Sequence, residues 1–140
     1  AVADPGASVV RAAHDLGLEV IPLVGPSSLL LAMAASGLNG QSFAFVGYLP
    51  QDTGQRLQRI RDLEALALKS GQAQLFIETP YRNAALLGAL LQGLRPDTRL
   101  SVSTGLTLAS ARTRSLPVAA WKSSKETAIG DGPAVFAIGR

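Results

Sequence analysis

The chain reads as an α/β fold, an open sheet flanked by helices, and three features of its 140 residues predict it. Short runs rich in β-branched and aromatic residues alternate with longer stretches whose apolar residues recur at helical spacing. Each long stretch carries turn or cap chemistry at an end. An apolar fraction of 47% then supplies a sizeable core for one domain of this length.

Taken in order, Asp4 is placed to cap a helix whose first position is Pro5, since proline has no N–H to lose there and its φ is already helical. That helix runs to Leu16 and stops at Gly17. A strand is expected at Glu19 to Leu23, after which Gly25-Pro26 turns the chain into a helix from Ser27 to Ser36. Ser27 or Ser28 can accept bonds from the orphan N–H groups of that helix. A strand at Ser42 to Val46 and a polar turn at Gln51 to Gly54 lead to a helix at Gln55 to Lys69. The strand Gln74 to Glu78 follows, and Thr79-Pro80 repeats the pairing of a capping side chain with proline before a helix to Gln92. The remaining strands fall at Leu100 to Ser103, around Arg112 to Ser115 and at Ala134 to Ile138, with a polar, turn-rich stretch from Trp121 to Gly132.

Composition excludes several chemistries. The chain has no cysteine, hence no disulfide, thiolate metal site or cysteine nucleophile. The single histidine, His14, stands without a second ligand at metal spacing and reads as a surface or junction residue. Ser27 and Ser28 lack both a base and a Gly-x-Ser-x-Gly elbow, and no paired carboxylates suggest glycosidase chemistry. No apolar run approaches the roughly 18 residues of a membrane span, so a soluble, cytoplasmic protein with no membrane partner is expected.

Thirteen basic residues stand against ten acidic ones, a small excess. Its distribution is more informative. Arg56, Arg59 and Arg61 fall in one expected helix, and Arg112 and Arg114 alternate along an expected strand and share one face. A solvated helix face and a polar sheet edge are the alternative account of both clusters.

Four motifs in order carry a family resemblance. They are Ala3-Asp4-Pro5-Gly6, the turn Pro22-Leu23-Val24-Gly25-Pro26-Ser27-Ser28, Phe45-Val46-Gly47-Tyr48-Leu49-Pro50, and Phe76-Ile77-Glu78-Thr79-Pro80-Tyr81-Arg82. They resemble the Asp-Pro-Gly, Pro-Leu-Pro-Gly-Pro, Gly-Phe-Leu-Pro and Phe-Tyr-Glu-Ser-x-His-Arg stretches of the tetrapyrrole (corrin and porphyrin) methylase superfamily. The likeness is to its branch of small-subunit ribosomal RNA 2′-O-ribose methyltransferases and their uncharacterised relatives. It implies the carboxy-terminal domain of a two-domain methylase, built on a mixed open sheet flanked by helices. Residues 1–24 are then the end of an amino-terminal domain and the junction with it, and 25–140 the carboxy-terminal domain. A chain that starts inside a motif, without methionine, is expected to be a piece of a longer protein.

What the resemblance implies for chemistry follows residue by residue. S-adenosylmethionine lies in the cleft between the two domains, and this half contributes Pro26 and Ser27, Ile77 and Glu78, Thr104, Gly105 and Leu106, and Pro133 and Ala134. Tyr81 and Arg82 face the acceptor, where a ring can stack on a base and a guanidinium can hold a phosphate. No residue is assigned a catalytic role and no metal is implied. Because the sulfonium already activates the methyl group, the protein mainly has to align donor and acceptor. Open α/β sheets bind ligands beyond the carboxyl ends of their strands, which directs attention to the turns at Gly25 to Ser28, Glu78 to Pro80 and Ser103 to Thr107.

The sequence departs from the RNA branch at Gly105-Leu106-Thr107-Leu108, which stands where the family has Glu-Leu-Thr-Lys, and at Ala111, where it has a further glutamate. Leu108 can neither orient a phosphate nor assist deprotonation of a ribose hydroxyl. A sister group of unassigned substrate is therefore expected. Three functions stay open: a methyltransferase domain acting on RNA ribose, a tetrapyrrole or other small-molecule methylase, and a non-catalytic binding or dimerisation module. The expected partners are RNA, the protein's own amino-terminal domain and a second copy in a homodimer, and the fragment alone is expected to be inactive.

Overall fold

The computed structural model describes residues 2–3, 5–124, 129–130 and 132–140. Its body is a five-stranded mixed sheet covered on both faces by helices. Strands β1 (Phe43–Tyr48), β2 (Ala73–Glu78), β3 (Arg99–Thr104), β4 (Arg112–Pro117) and β5 (Ala134–Gly139) stand in the order β1-β2-β5-β3-β4. β1 and β2 are parallel, joined through helix α3 (Thr53–Ser70). β5 runs antiparallel to both of its neighbours, and β4 antiparallel to β3. The carboxyl ends of β1, β2 and β3 and the amino ends of β4 and β5 consequently share one edge of the sheet.

The strand pattern decides which helix goes where. On β2, Leu75 and Ala73 point to one face and Phe76 to the other, as the two-residue period requires. Helix α2 (Ser28–Ser36) packs Leu29, Ala32 and Met33 on the first face against Leu75, Val135 and Ala137. The opposite face receives α3, α4 (Asn83–Gly93) and α5 (Val118–Ser123), through Ile60 and Leu63, Leu86 and Leu90, and Val118 and Trp121. Phe76 and Phe136 stack across neighbouring strands at 6.0 Å between centroids. All six residues of β5 are buried, as the central strand of a covered sheet demands.

Capping follows the expected chemistry at some ends only. Asp52 accepts from the Gln55 amide and starts α3, while Gly37 and Gly71 end α2 and α3 in the left-handed conformation. Asp4 lies outside the described residues, and helix α1 (Ala7–Asp15) is capped at Gly6, with Pro5 before it. Ser27 and Thr79 hold the N-cap positions of α2 and of the short 3-10 turn Pro80–Arg82 without a side-chain cap bond.

Two expectations are corrected. Residues 19–23 form no strand: they have no ladder partner among the described residues and are exposed, with Leu23 92% accessible. An apolar run signals a strand only where a neighbour takes up its N–H and C=O groups, and here none does. α1 likewise buries no residue. Trp121 to Gly132 is also not one long turn, because Trp121 to Ser123 close α5; residues 125–128 and 131 lie outside the described set.

Trp121 is the anchor of the second face. Its indole Nε1–H donates to the Leu100 carbonyl at 2.8 Å, and the Arg114 guanidinium lies 4.3 Å from the ring centroid. With 1% of its surface exposed, the ring fills the space between α5 and β3. Trp121→Ala is expected to cost about 3 to 5 kcal/mol in stability, read as a lowered midpoint in urea unfolding of this chain.

Candidate functional site

At the shared strand edge lies a cavity of about 350 Å³. Its floor comes from the strand ends: Tyr48 of β1, Ile77 and Glu78 of β2, and Ala134 and Val135 of β5. Thr79 and Pro80 form one wall, Gly105, Leu106 and Leu108 of the β3–β4 loop another, and Ser28 at the start of α2 a third. Ladder pairing of Glu78 with Ala134 brings the β2 and β5 contributions together. The lining is therefore mainly apolar, with one carboxylate.

Local backbone geometry shapes this cavity. In β1, Gly47 has φ +74°, and the register of the β1–β2 ladder shifts between Phe45 and Tyr48. Only glycine enters that conformation readily, so the Val46-Gly47-Tyr48 stretch bends where Tyr48 must reach the cavity. Glu78 is 7% exposed, and its Oε1 accepts from the Thr79 amide at 2.7 Å and from Thr79 Oγ1 at 3.2 Å. Its carboxylate is thereby held on the cavity wall. Gly105 has φ +59°, and a Cβ there would sit 3.1 Å from Ser110 Oγ and 3.3 Å from the Ser110 carbonyl oxygen.

Six of the nine residues expected to touch a cofactor converge here: Ile77, Glu78, Gly105, Leu106, Pro133 and Ala134. Pro26 and Ser27 do not line the cavity, although their neighbour Ser28 does. A Cβ at Gly25 would meet no described atom within 4 Å beyond its chain neighbours. Thr104 lines a second cavity of about 200 Å³, with Ser110, Arg112, Arg114 and Trp121. Thr104 and Gly105 are consecutive, so the β3–β4 loop is the common wall of the two cavities.

Tyr81 and Arg82 follow directly on Pro80 without lining either cavity. Tyr81 is 79% exposed; Arg82 donates to its phenol oxygen at 2.6 Å and lies 4.9 Å from the ring centroid. The hydrogen bond from Arg82, followed by one from Thr79, lowers the phenol below its ordinary pKa, and the same contact raises that of Arg82. The pair forms a preassembled aromatic and cationic surface on the rim.

The arginine clusters separate. Arg56 is 8% exposed and donates through Nε to the Pro50 carbonyl at 2.8 Å and through a terminal nitrogen to that of Gln51 at 2.7 Å. It locks the turn before α3, and neither Arg59 nor Arg61 lines either of these two cavities. Arg112 and Arg114, by contrast, share a face of β4 and enter the second cavity. His14 is exposed on α1, and no cluster of metal-ligating side chains occurs among the described residues. Nor is any described helix long and apolar enough to cross a membrane.

No family model matches the chain. Over 106 residues it is 40% identical to the ribosomal RNA small subunit methyltransferase I of Mesorhizobium japonicum, a match covering 76% of this chain and 35% of that protein. The protein of the same name from Bacillus subtilis is 36% identical over 106 residues, with the same coverage. The chain thus spans about a third of the length of these curated relatives. Among solved structures, a conserved hypothetical protein from Aeropyrum pernix K1 matches with a TM-score of 0.63 at 18% identity, covering 99% of this chain and 54% of that one. Uroporphyrin-III C-methyltransferase from Thermus thermophilus, solved with S-adenosylhomocysteine, matches with a TM-score of 0.54 at 18% identity, covering 99% and 61%. At that identity the structural likeness is one of fold.

The rim contact makes a pH-dependent signature. In a Tyr48→Phe background, where Tyr81 is the one remaining tyrosine, ultraviolet titration should find its phenol ionising at lower pH than in the same protein carrying Arg82→Gln. The sign follows from the guanidinium, which stabilises phenolate over phenol. Identical titration curves would show that the Arg82 contact does not persist in solution.

Proposed function

The chain belongs to the tetrapyrrole methylase superfamily, on the side of its small-subunit ribosomal RNA methyltransferases, and from that membership we propose that it is the carboxy-terminal domain of an S-adenosylmethionine-dependent methyltransferase. The observation that carries this reading is the convergence of six expected cofactor residues on one cavity at the strand edge. The residues suit the cofactor. Ile77, Leu106, Ala134 and Val135 offer apolar walls for an adenine ring, and the Glu78 carboxylate, with Oε2 not engaged by Thr79, suits a hydroxyl or amino donor. When bound, S-adenosylmethionine supplies a methyl group on a positive sulfonium, so the chain has to bind, orient and exclude water rather than provide a nucleophile.

One wall of such a site is missing from these residues. A cavity of about 350 Å³ is at the small end for a ligand of this size. The segment from α1 to Val24 exposes Val9, Leu16, Leu18, Ile21, Leu23 and Val24, a surface suited to packing against further protein. An amino-terminal domain joined through residues 1–24 would cover that segment and complete the cleft. A homodimer acting in the cytoplasm belongs to the same reading.

For the acceptor, RNA is favoured by Arg112 and Arg114, which stand across the β3–β4 loop from the cofactor cavity with the hydroxyls of Thr104 and Ser110. Guanidinium and hydroxyl groups there suit phosphates, with Tyr81 and Arg82 on the rim for a base and its backbone. The apolar Leu106 and Leu108, in a loop without the family's glutamate and lysine, favour a second reading, a tetrapyrrole or other small-molecule methylase. A non-catalytic module is separated from both by cofactor titration of the full-length protein.

Two measurements test the proposal. This chain alone should bind S-adenosylmethionine at least tenfold more weakly than the full-length protein, because half a cleft loses contacts while the entropy of binding remains. Calorimetry finding tight, stoichiometric binding to the chain alone would reject the shared cleft. In the full-length protein, Arg112→Gln should weaken RNA binding and reduce its salt slope by roughly 0.7 to 0.9, leaving cofactor affinity unchanged. RNA binding without a salt slope would instead move the small-molecule methylase ahead.

A further inference from the structure

Asn83 is fully buried at the first position of α4, three residues beyond the cavity-lining Pro80. Its side chain neither caps its own helix nor faces water. Instead Nδ2–H donates to the carbonyl of Gly132 at 2.9 Å, across 49 positions of sequence. Gly132 is immediately followed by Pro133 and Ala134, which line the cavity on the β5 side. The bond therefore joins the segment that leaves β2 to the segment that enters β5, the two walls that meet over Glu78.

Two features argue that this amide is there for the bond. Pro133 has no N–H, so the first residue of the approach to β5 cannot be held by donating to a neighbouring strand, and the Gly132 carbonyl becomes the point of attachment. The Asn83 Oδ1 meanwhile has no hydrogen-bond partner among the described residues although it is buried. A buried orphan acceptor costs about 1 to 3 kcal/mol, which an apolar residue of similar size would avoid. Reversing the amide gives no relief, because Oδ1 would then face the Gly132 carbonyl oxygen.

We infer that Asn83 is a positioning residue that clasps the Gly132-Pro133 segment over the cofactor cavity and sets the spacing between its β2 and β5 walls. The inference rests on the methyltransferase reading above and deepens it. Asn83 acts through Pro133 and Ala134 and touches no reacting atom.

The test uses the full-length protein and S-adenosylhomocysteine as the probe. Asn83→Asp keeps the shape but replaces the donor with an acceptor aimed at a carbonyl, and Asn83→Ser shortens the side chain so that it no longer reaches. Leu90→Ala, in the buried face of α4, serves as the control for lost stability. Both Asn83 variants should bind the probe about tenfold more weakly than wild type, and raise the KM for S-adenosylmethionine without raising that for the acceptor. Leu90→Ala should lower the melting temperature at least as much while keeping its affinity. Affinity in the Asn83 variants equal to wild type, or lost no more than in Leu90→Ala, overturns the clasp alone. Failure of both Asn83 variants to fold also overturns it, since the residue would then serve folding. If wild type itself binds no S-adenosylhomocysteine, the methyltransferase reading falls and the clasp with it.

Discussion

The antiparallel insertion of β5 between β2 and β3 is the constraint on which the rest of the structure depends. β5 exchanges ladder bonds on both sides, pairing Phe136 with Phe76 on one side and with Val102 on the other. A slip of one residue would turn Phe136 and Ile138 toward α2 and present Val135 and Ala137 to the larger core under α3, α4 and α5. Both cores oppose that slip. Because β5 runs against its neighbours, its amino end arrives where β2 and β3 finish, and Ala134 stands beside Glu78 and Thr104. The cavity is a consequence of strand direction before it is a consequence of any one side chain.

Much of this was legible in the sequence, for reasons tied to particular residues. The apolar run Leu75 to Ile77 and the polar turn at Gln51 to Gly54 mark β2 and the start of α3 locally, and the structure extends both elements by a residue or two. The unbroken apolar run Ala134 to Ile138 is what a strand covered on both faces requires, but its place in the strand order is a property of pairing that no local pattern carries. Residues 19–23 show the converse failure. Their apolar character satisfies the local pattern of a strand, and without a partner the ladder does not form.

The candidate site divides along the same line. Ile77, Glu78, Pro133 and Ala134 were singled out through the family resemblance, and they meet at one cavity because they stand at or beside the ends of adjacent strands. Arg56 was misleading because a long side chain can turn back on its own helix start, where two carbonyls left free by the turn at Pro50 and Gln51 accept from it. Asn83 was missed altogether, since its partner lies 49 residues away. The one local signal was an asparagine placed inside the start of an apolar helix, where a polar amide has to find a partner elsewhere.

The loop between β3 and β4 separates two chemically different spaces, an apolar one with a single carboxylate and one that contains arginines and hydroxyls. Its backbone also limits which side chains the loop can carry. Gly105 sits at φ +59°, and any Cβ there would crowd both the hydroxyl and the backbone of Ser110. A glutamate at this position would meet backbone strain and steric contact together, so it requires a differently folded loop. Thr107, two residues on, is a β-branched residue at φ +74°, and it too belongs to this loop conformation rather than to an ordinary hairpin turn. The glycine at position 105 and the shape of the loop therefore go together. Leu106 and Leu108 face the cavity from the same loop and give it an apolar wall.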